Sequence, residues 1–410
     1  MRYLDLLLNQ NPHKLALITD FAQYTYGDLI AKAQKMPLIK ANYTFIHENL
    51  IVEQLSKFLA YSGTKTVPII ATQASKHQDF TAYTKTIPPN ACMGVMTSGS
   101  TGKSKLLWRN FASWADFFPE QNNIFGINKQ SIIFCQGSLA FTGNLNIYLS
   151  VLAAGGTIVA TEKFAPKTWL QMIIKNKVNC LYLIPSKLLL LPKILKQANL
   201  SIKHIISGSQ SMGKPQANML KKIFPNAEII LYYGASELNY ITYIKDKDMT
   251  EDITLIGKPF NNVHICIDKN TQEILVHTPY HIEQITLPFS LKDRGYIDKL
   301  GNLHYLGRSD DIINLNGMKI SLYKIEHTLR KLLPIKEIAT KIIHTNDIDQ
   351  LVAFIVTENK LPINKVEALK KLKPYLSEYE IPKKFICLAN LPKNESGKID
   401  KQNLFIEVGI

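Results

Sequence analysis

Met96-Thr97-Ser98-Gly99-Ser100-Thr101-Gly102-Lys103-Ser104-Lys105 sets glycines, hydroxyls and ammoniums side by side within ten residues. This is a composition that holds phosphate. Glycines let backbone N–H groups turn toward an anion, hydroxyls donate further bonds, and Lys105 adds a cation that can follow negative charge developing on a leaving phosphate. A Walker-type loop is excluded, because it needs four residues between its glycines and a lysine directly before a hydroxyl, and Gly99 and Gly102 stand too close together. A polar surface loop is the other reading these ten residues allow.

The chain of 410 residues has room for more than one core, and its 46% apolar and 20% charged content is that of an ordinary globular protein. No apolar run approaches the roughly 20 residues of a membrane helix; Leu188–Leu191 is closed by Pro192. Leu6-Leu7-Leu8 is too short for a signal segment, so a cytoplasmic protein without a transmembrane segment is expected. Cys92, Cys135, Cys180, Cys266 and Cys387 lie far apart with no metal-ligand spacing, which predicts reduced, structural thiols. The net charge of +15 comes from lysines spread along the chain, without arginine clusters or interleaved aromatics. It fits solvated faces or attraction of an acidic partner better than nucleic acid, and no nucleic-acid partner is expected.

Up to about residue 306, strand-like runs alternate with helical ones. Residues 66–70, 132–135, 156–160, 180–184, 204–207 and 229–232 read as strands, and 168–177 and 215–224 as helices. Shorter alternating strands over 253–277 suggest an antiparallel subdomain. Beyond Asp310 a helix over 322–332, strands over 339–344 and 351–356 and a helix over 365–376 predict a small α+β domain. The expected fold class is α/β: a large N-terminal domain of stacked α/β subdomains plus a small antiparallel subdomain, followed by a small, mobile α+β C-terminal domain. The predicted division is 1–309 and 310–410.

Residues 97–105 resemble the phosphate loop of the adenylate-forming enzymes, the superfamily of acyl-CoA synthetases, peptide-synthetase adenylation domains and luciferases. Ser104 stands where proline is usual. Later stretches carry the resemblance in order. Tyr232-Tyr233-Gly234-Ala235-Ser236-Glu237 is similar to the family's Tyr-Gly-x-Thr-Glu segment, and Gly257-Lys258-Pro259 to its Gly-x-Pro turn. Lys292-Asp293-Arg294-Gly295 sits where the family has Thr-Gly-Asp-x-Gly. Gly307-Arg308-Ser309-Asp310 resembles the hinge, Gly317-Met318-Lys319 the loop after it, and Ser396-Gly397-Lys398-Ile399 the terminal motif. The resemblance spans nearly the whole chain and is closest to short bacterial fatty-acyl-CoA ligase-type members.

It implies attack of a carboxylate on the α-phosphate of ATP, giving an acyl-adenylate and pyrophosphate, then transfer of the acyl group to a thiol. Lys398 would bridge carboxylate and phosphate oxygens, Glu237 would hold Mg²⁺, and Lys105 would attend the phosphates; these three are the catalytic set. Thr97, Ser98, Gly99, Ser100, Thr101 and Gly102 would form the rest of the phosphate site. Tyr233 would lie against adenine with Ser209 and Gln210, Gly234 and Ser236 would belong to the same ATP site, and Asp293, Tyr305 and Arg308 would lie on the ribose side. Asp310 would be the hinge. A surface Asp–Arg pair remains the alternative for Asp293 and Arg308, and half-buried packing for Tyr233 and Tyr305.

Phe141, Thr142 and Gly208 are the expected acid-binding residues. Amino-acid-activating relatives place an aspartate after the aromatic, where this chain has Thr142. An unpaired buried ammonium is costly, so amino acids are disfavoured and Phe141 reads as an apolar wall for a fatty or aryl acid, or equally as a plain core residue. Three departures from the pattern are Asn314 in place of a lysine, the missing second glycine in Ser207-Gly208-Ser209-Gln210, and Met318-Lys319 where arginine is frequent. The implied cofactors are ATP, Mg²⁺ and CoA. The alternatives are a stand-alone enzyme loading an acidic carrier protein's phosphopantetheine, and a degenerate nucleotide-binding protein without catalysis.

Overall fold

The computed structural model describes residues 2–37, 39–72, 74–97, 105–315, 318–345, 348–358, 361–393, 399–401 and 403–405, with the backbone alone at 74, 77, 310, 312, 314, 319, 345, 348 and 405. The chain divides into two compact units. One comprises Met1–Cys266, Leu275–Phe289 and Asp298–Leu303; the other comprises Ile267–Ile274, Ser290–Ile297 and His304–Ile410.

The strands that lie wholly within the first unit are, in chain order, β1 Leu15–Ile18, β2 Gln23–Thr25, β3 Tyr43–Ile46, β4 Val67–Ile70, β5 Met93–Thr97, β6 Lys105–Arg109, β7 Ile132–Gln136, β8 Thr157–Thr161, β9 Cys180–Tyr182, β10 His204–Gly208, β11 Glu228–Ala235, β12 Asn239–Lys245 and β13 Leu255–Pro259. They form two sheets. In the smaller, β3, β4 and β5 run parallel and β6 returns antiparallel to β5. In the larger, β11-β10-β9-β7-β8-β1 are parallel neighbours, extended by antiparallel β12 and β13 on one side and β2 on the other.

Continuous apolar runs such as Ile132-Ile133-Phe134-Cys135 suit strands covered on both faces. Val159, Leu181 and Ile205 from three of them share one core with Trp169, Ile173 and Leu220 from two helices. Those helices, Pro166–Lys175 and Lys214–Ile223, begin with or next to a proline and end in lysine-bearing turns, as backbone sterics and the helix dipole favour. Helix Thr142–Ala153 is buried on nearly all sides from Asn144 onward.

In the second unit, Ile335–Thr345 pairs antiparallel with Ile348–Thr357, which pairs parallel with Lys384–Cys387. Helix Leu322–Leu332 is capped by Ser321 and helix Lys365–Leu372 by Asn364. Ile325 and Leu329 pack with Ile338, Ala353, Ala368 and Leu372. Ile312–Leu315 and Met318–Ser321 form a two-stranded ribbon.

Most predicted elements are present with ends moved by a few residues. The helix over 365–376 stops at Leu372. The strand over 180–184 stops at Tyr182, because Pro185 opens a helical turn. All five thiols are free; Cys92, Cys135 and Cys180 are buried, whereas Cys266 and Cys387 are exposed and have no core role. Among the described residues no helix is long and apolar enough to cross a membrane.

Candidate active site

The glycine-rich stretch connects two paired strands. Thr97 ends β5 opposite Lys105, the exposed first residue of β6. Ser98, Gly99, Ser100, Thr101 and Gly102 between them lie outside the described residues, as does Lys398. Lys393 and Ile399, on either side of the terminal motif, pair as an antiparallel bridge.

In open α/β sheets ligands bind beyond the carboxyl ends of parallel strands, and at those ends several predicted positions meet. Met96 bridges Phe141, and the Thr142 hydroxyl donates to the Met96 carbonyl at 3.3 Å. The Ser236 hydroxyl in turn donates to Thr142 Oγ1 at 3.0 Å. The strand before the glycine-rich stretch, the Phe141–Thr142 segment and the Ser236–Glu237 turn are thereby clasped together.

A residue outside the predicted set holds that turn. Arg109 ends β6 with no exposed surface, yet Leu106, Leu107 and Trp108 before it are ordinary core residues. Its Nη2 donates to the Ser236 carbonyl at 2.7 Å, and its Nη1 to the Tyr280 carbonyl and to Ser113 Oγ, both at 3.1 Å. The guanidinium also lies 5.4 Å from the Trp114 ring centre. Burial pulls its pKa down to about 10, opposed by Tyr3, then Glu237 and Cys92. The segment after Tyr280 is stitched to the same place, since Ile282 N–H donates to the Glu237 carbonyl and Glu283 N–H to that of Trp108, both at 2.9 Å. Glu237 itself is half-buried, and no described side chain hydrogen-bonds or ion-pairs with its carboxylate.

Below Thr142 the floor is aromatic. The hydroxyls of Tyr182 and Tyr232 share a hydrogen bond of 2.7 Å with their rings stacked, and Tyr240 meets Tyr232 edge-on at 4.4 Å. Burial pushes the Tyr232 phenol up to about 12, countered by hydrogen bonds from Tyr182 and Ser209. Two glycines make room for this layer: a Cβ on Gly208 would stand 2.4 Å from the Tyr232 ring, and one on Gly143 2.5 Å from the Tyr182 hydroxyl. Gln210 Oε1 accepts the Ser186 N–H at 2.9 Å, which leaves its amide nitrogen for other partners. Tyr233, half-buried, precedes a β-bulge at Gly234 that alters the strand's pairing just before the Ser236–Glu237 turn.

Within the second unit, Asp293 is buried at 8% exposure and acts on the Tyr305 phenol, as do Tyr323, Asp311 and Arg308. Burial above all, then Asp293, raises that phenol's pKa far beyond its usual range. Tyr305 meets Tyr323 edge-on at 5.2 Å. The predicted ribose group Asp293, Tyr305 and Arg308 is therefore one neighbourhood. Asp310 lies in the short 3-10 turn Ser309–Asp311, directly after it.

Arg109, the tyrosine layer and Lys187 of the turn after β9 were missed in the sequence. The signal for Arg109 was a lone arginine closing an apolar strand, and for Lys187 a lysine inside Leu183–Leu191.

The AMP-binding enzyme family model matches residues 45–279, more than half of the chain. An uncharacterized acyl–CoA ligase of Bacillus subtilis, YhfT, is 26% identical over 75% of this chain and 67% of its own length. The putative long chain fatty acid–CoA ligase VraA of Staphylococcus epidermidis is 23% identical over 98% of this chain and 97% of its own. Among solved structures, ATP-bound MatB from Rhodopseudomonas palustris superposes with a TM-score of 0.84 at 18% identity, covering 99% of this chain and 98% of that one. The o-succinylbenzoate CoA synthetase MenE of Bacillus subtilis, with ATP and magnesium, gives 0.81 at 18%, covering 98% and 99%. The chain thus belongs to the AMP-binding enzymes of the adenylate-forming superfamily and is an acyl-CoA synthetase-like, AMP-forming acid–thiol ligase.

Proposed function

We propose that this enzyme activates an apolar carboxylic acid, aryl or fatty, with ATP and passes the acyl group to the thiol of CoA. The observation that carries this reading is the 3.0 Å bond between Ser236 and Thr142. It brings the expected acid-facing segment to the turn bearing Glu237, and the residue after Phe141 offers a hydroxyl rather than a carboxylate, so that position has no charge to receive a substrate ammonium.

In the first step a carboxylate oxygen bonds to the α-phosphorus, the bond from that phosphorus to the bridging oxygen breaks, and pyrophosphate leaves. In the second the thiol sulfur attacks the acyl carbon, its proton is lost to solvent, and AMP leaves. The protein's task in such a reaction is positioning and charge. Thr97, residues 98–102 and Lys105 would cradle the phosphates, and Lys398 would bridge the carboxylate and the α-phosphate. Tyr233, Gly234, Ser209 and Gln210 would line the adenine, and Asp293, Arg308 and Tyr305 the ribose. A division at Asp310 would let the C-terminal part carry Lys398 to and from the site.

Glu237 fits Mg²⁺. Its half-buried carboxylate has no described partner, and no group of three or more His, Cys, Asp or Glu side chains among the described residues would cage a metal alone. That suits an ion that draws most of its shell from phosphates and water. Bound there, Mg²⁺ would neutralise phosphate charge.

A carrier-protein phosphopantetheine is the second acceptor to consider, favoured by the net charge of +15, which would attract an acidic carrier. Five free thiols accord with a cytoplasmic setting. The test is acyl transfer with CoA against transfer to a holo-carrier protein: thioester on CoA supports the first reading, and thioester on the carrier alone replaces it with the second.

A further inference from the structure

The turn after β9 holds a cation to which the scheme above gives no role. Lys187 lies in Pro185–Leu188, and the N–H of its neighbour Ser186 is bound by Gln210, so this turn is tied to the Gly208–Gln210 end of β10. Gly137, with φ of 120°, comes close to it from the acid-facing segment. A Cβ on Gly137 would stand 3.0 Å from Asn144 Nδ2, and 3.9 Å from both Lys187 Nζ and Phe141 Cδ2. The ammonium therefore stands beside the stretch 137–142, on the same wall as Phe141.

Lys187 is half-buried, and burial alone pulls its pKa below the usual lysine range, with no neighbouring charge acting to restore it. Among the described residues no carboxylate pairs with it. Glu162, which flanks this wall, has its carboxyl pKa raised by burial, opposed by the polar neighbours Gln54 and Ser138, and no ion pair joins it to Lys187 among the described residues; the charge of Glu237 acts on Arg109. An ammonium that loses water without gaining an acid is destabilising unless a ligand supplies the missing charge. Lys245 and Lys401, also partly covered, take carboxylates, Glu228 and Glu326, and Lys14 and Lys341, likewise lowered by burial, take backbone carbonyls.

We propose that the acid activated by this enzyme carries a second anionic group, a carboxylate in the simplest case, and that Lys187 pairs with it while the apolar body lies along Phe141. The inference rests on the acid-activation reading above and narrows it to dicarboxylates. The hydrogen-bonded Tyr182–Tyr232 pair packed against Gly143 and Gly208 agrees, since it fills the space next to the segment and so suits a short or aromatic spacer.

The test compares mono- and dicarboxylic acids of one skeleton, benzoate with the three phthalates and hexanoate with adipate, by pyrophosphate release from the full chain and its Lys187→Met and Lys187→Arg variants. The natural enzyme should favour a dicarboxylate about ten- to a hundredfold in kcat/KM, the worth of one charge-assisted hydrogen bond. Lys187→Met should bring that ratio close to one, and Lys187→Arg should keep it. A monoacid preference that Lys187→Met leaves unaltered overturns the proposal, while acid activation itself stands. Weakened ATP binding in Lys187→Met with an unchanged acid ratio also overturns it, assigning the lysine to a nucleotide phosphate. If no acid in either series releases pyrophosphate, the activation reading fails separately. Calorimetry then decides the pairing: dicarboxylate binding that Lys187→Met abolishes supports it, and equal or absent binding overturns it.

Discussion

Arg109 Nη2 donates to the carbonyl oxygen of Ser236 at 2.7 Å, one peptide before Glu237. A wholly buried cation at the end of one sheet thus holds the turn that ends a strand of the other. The same guanidinium reaches the Tyr280 carbonyl, so three distant segments share one donor group. Replacing it leaves two carbonyls short of a partner. Arg109→Met should lower unfolding free energy by about 3 kcal/mol or more in urea titration, with Arg109→Lys intermediate.

Glu237 contrasts with Arg109 because no described side chain hydrogen-bonds or ion-pairs with its carboxylate, whose charge reaches Arg109 only as a minor influence behind that of Tyr3. Glu237→Gln should leave stability within about 0.5 kcal/mol. It should lower pyrophosphate release by about a hundredfold and raise the Mg²⁺ concentration needed for half-maximal rate, read in a metal titration.

The close approach at Gly208 predicts a steric outcome. A methyl there meets the Tyr232 ring at 2.4 Å, so Gly208→Ala should cost about 1–3 kcal/mol in thermal unfolding. Adding Tyr232→Leu should recover part of that loss and, under the acid-activation reading, extend turnover to longer acids.

His204 supplies a pH dependence. Burial, only partly offset by Glu228, holds its imidazole pKa below the usual value, so the unfolded chain binds the proton more readily. Its contribution is then undiminished above about pH 6.5 and falls as pH drops from there toward the lower folded value, below which it levels off. Unfolding free energy of the natural chain should decline with acidification from about pH 6.5, and His204→Gln should flatten that limb.

The parallel core was legible because strands covered on both faces read as unbroken apolar runs, as at Ile132–Cys135 and Ile229–Tyr232. Helix ends at Pro166 and Asn364 carried local signals as well. The motif positions were legible through resemblance, and the structure joins several of them, Thr142 with Ser236 and Asp293 with Tyr305. Arg109 was not legible because its acceptors are backbone carbonyls 127 and 171 residues away, and a carbonyl has no letter in a sequence. Tyr182 and Tyr232 are 50 residues apart and each reads as a core aromatic until the pair is seen. Lys187 was hidden among 48 basic residues, since only burial separates it from the solvated majority.

The central claim is that the chain forms an acyl-adenylate, and pyrophosphate release with ATP and Mg²⁺ across aryl, fatty and dicarboxylic acids, with amino acids as controls, tests it most directly. The account predicts release with a non-amino acid that falls about a hundredfold or more in Lys398→Ala, which removes the cation proposed to bridge carboxylate and phosphate. No release with any acid from folded protein, or release that Lys398→Ala leaves unchanged, would contradict it.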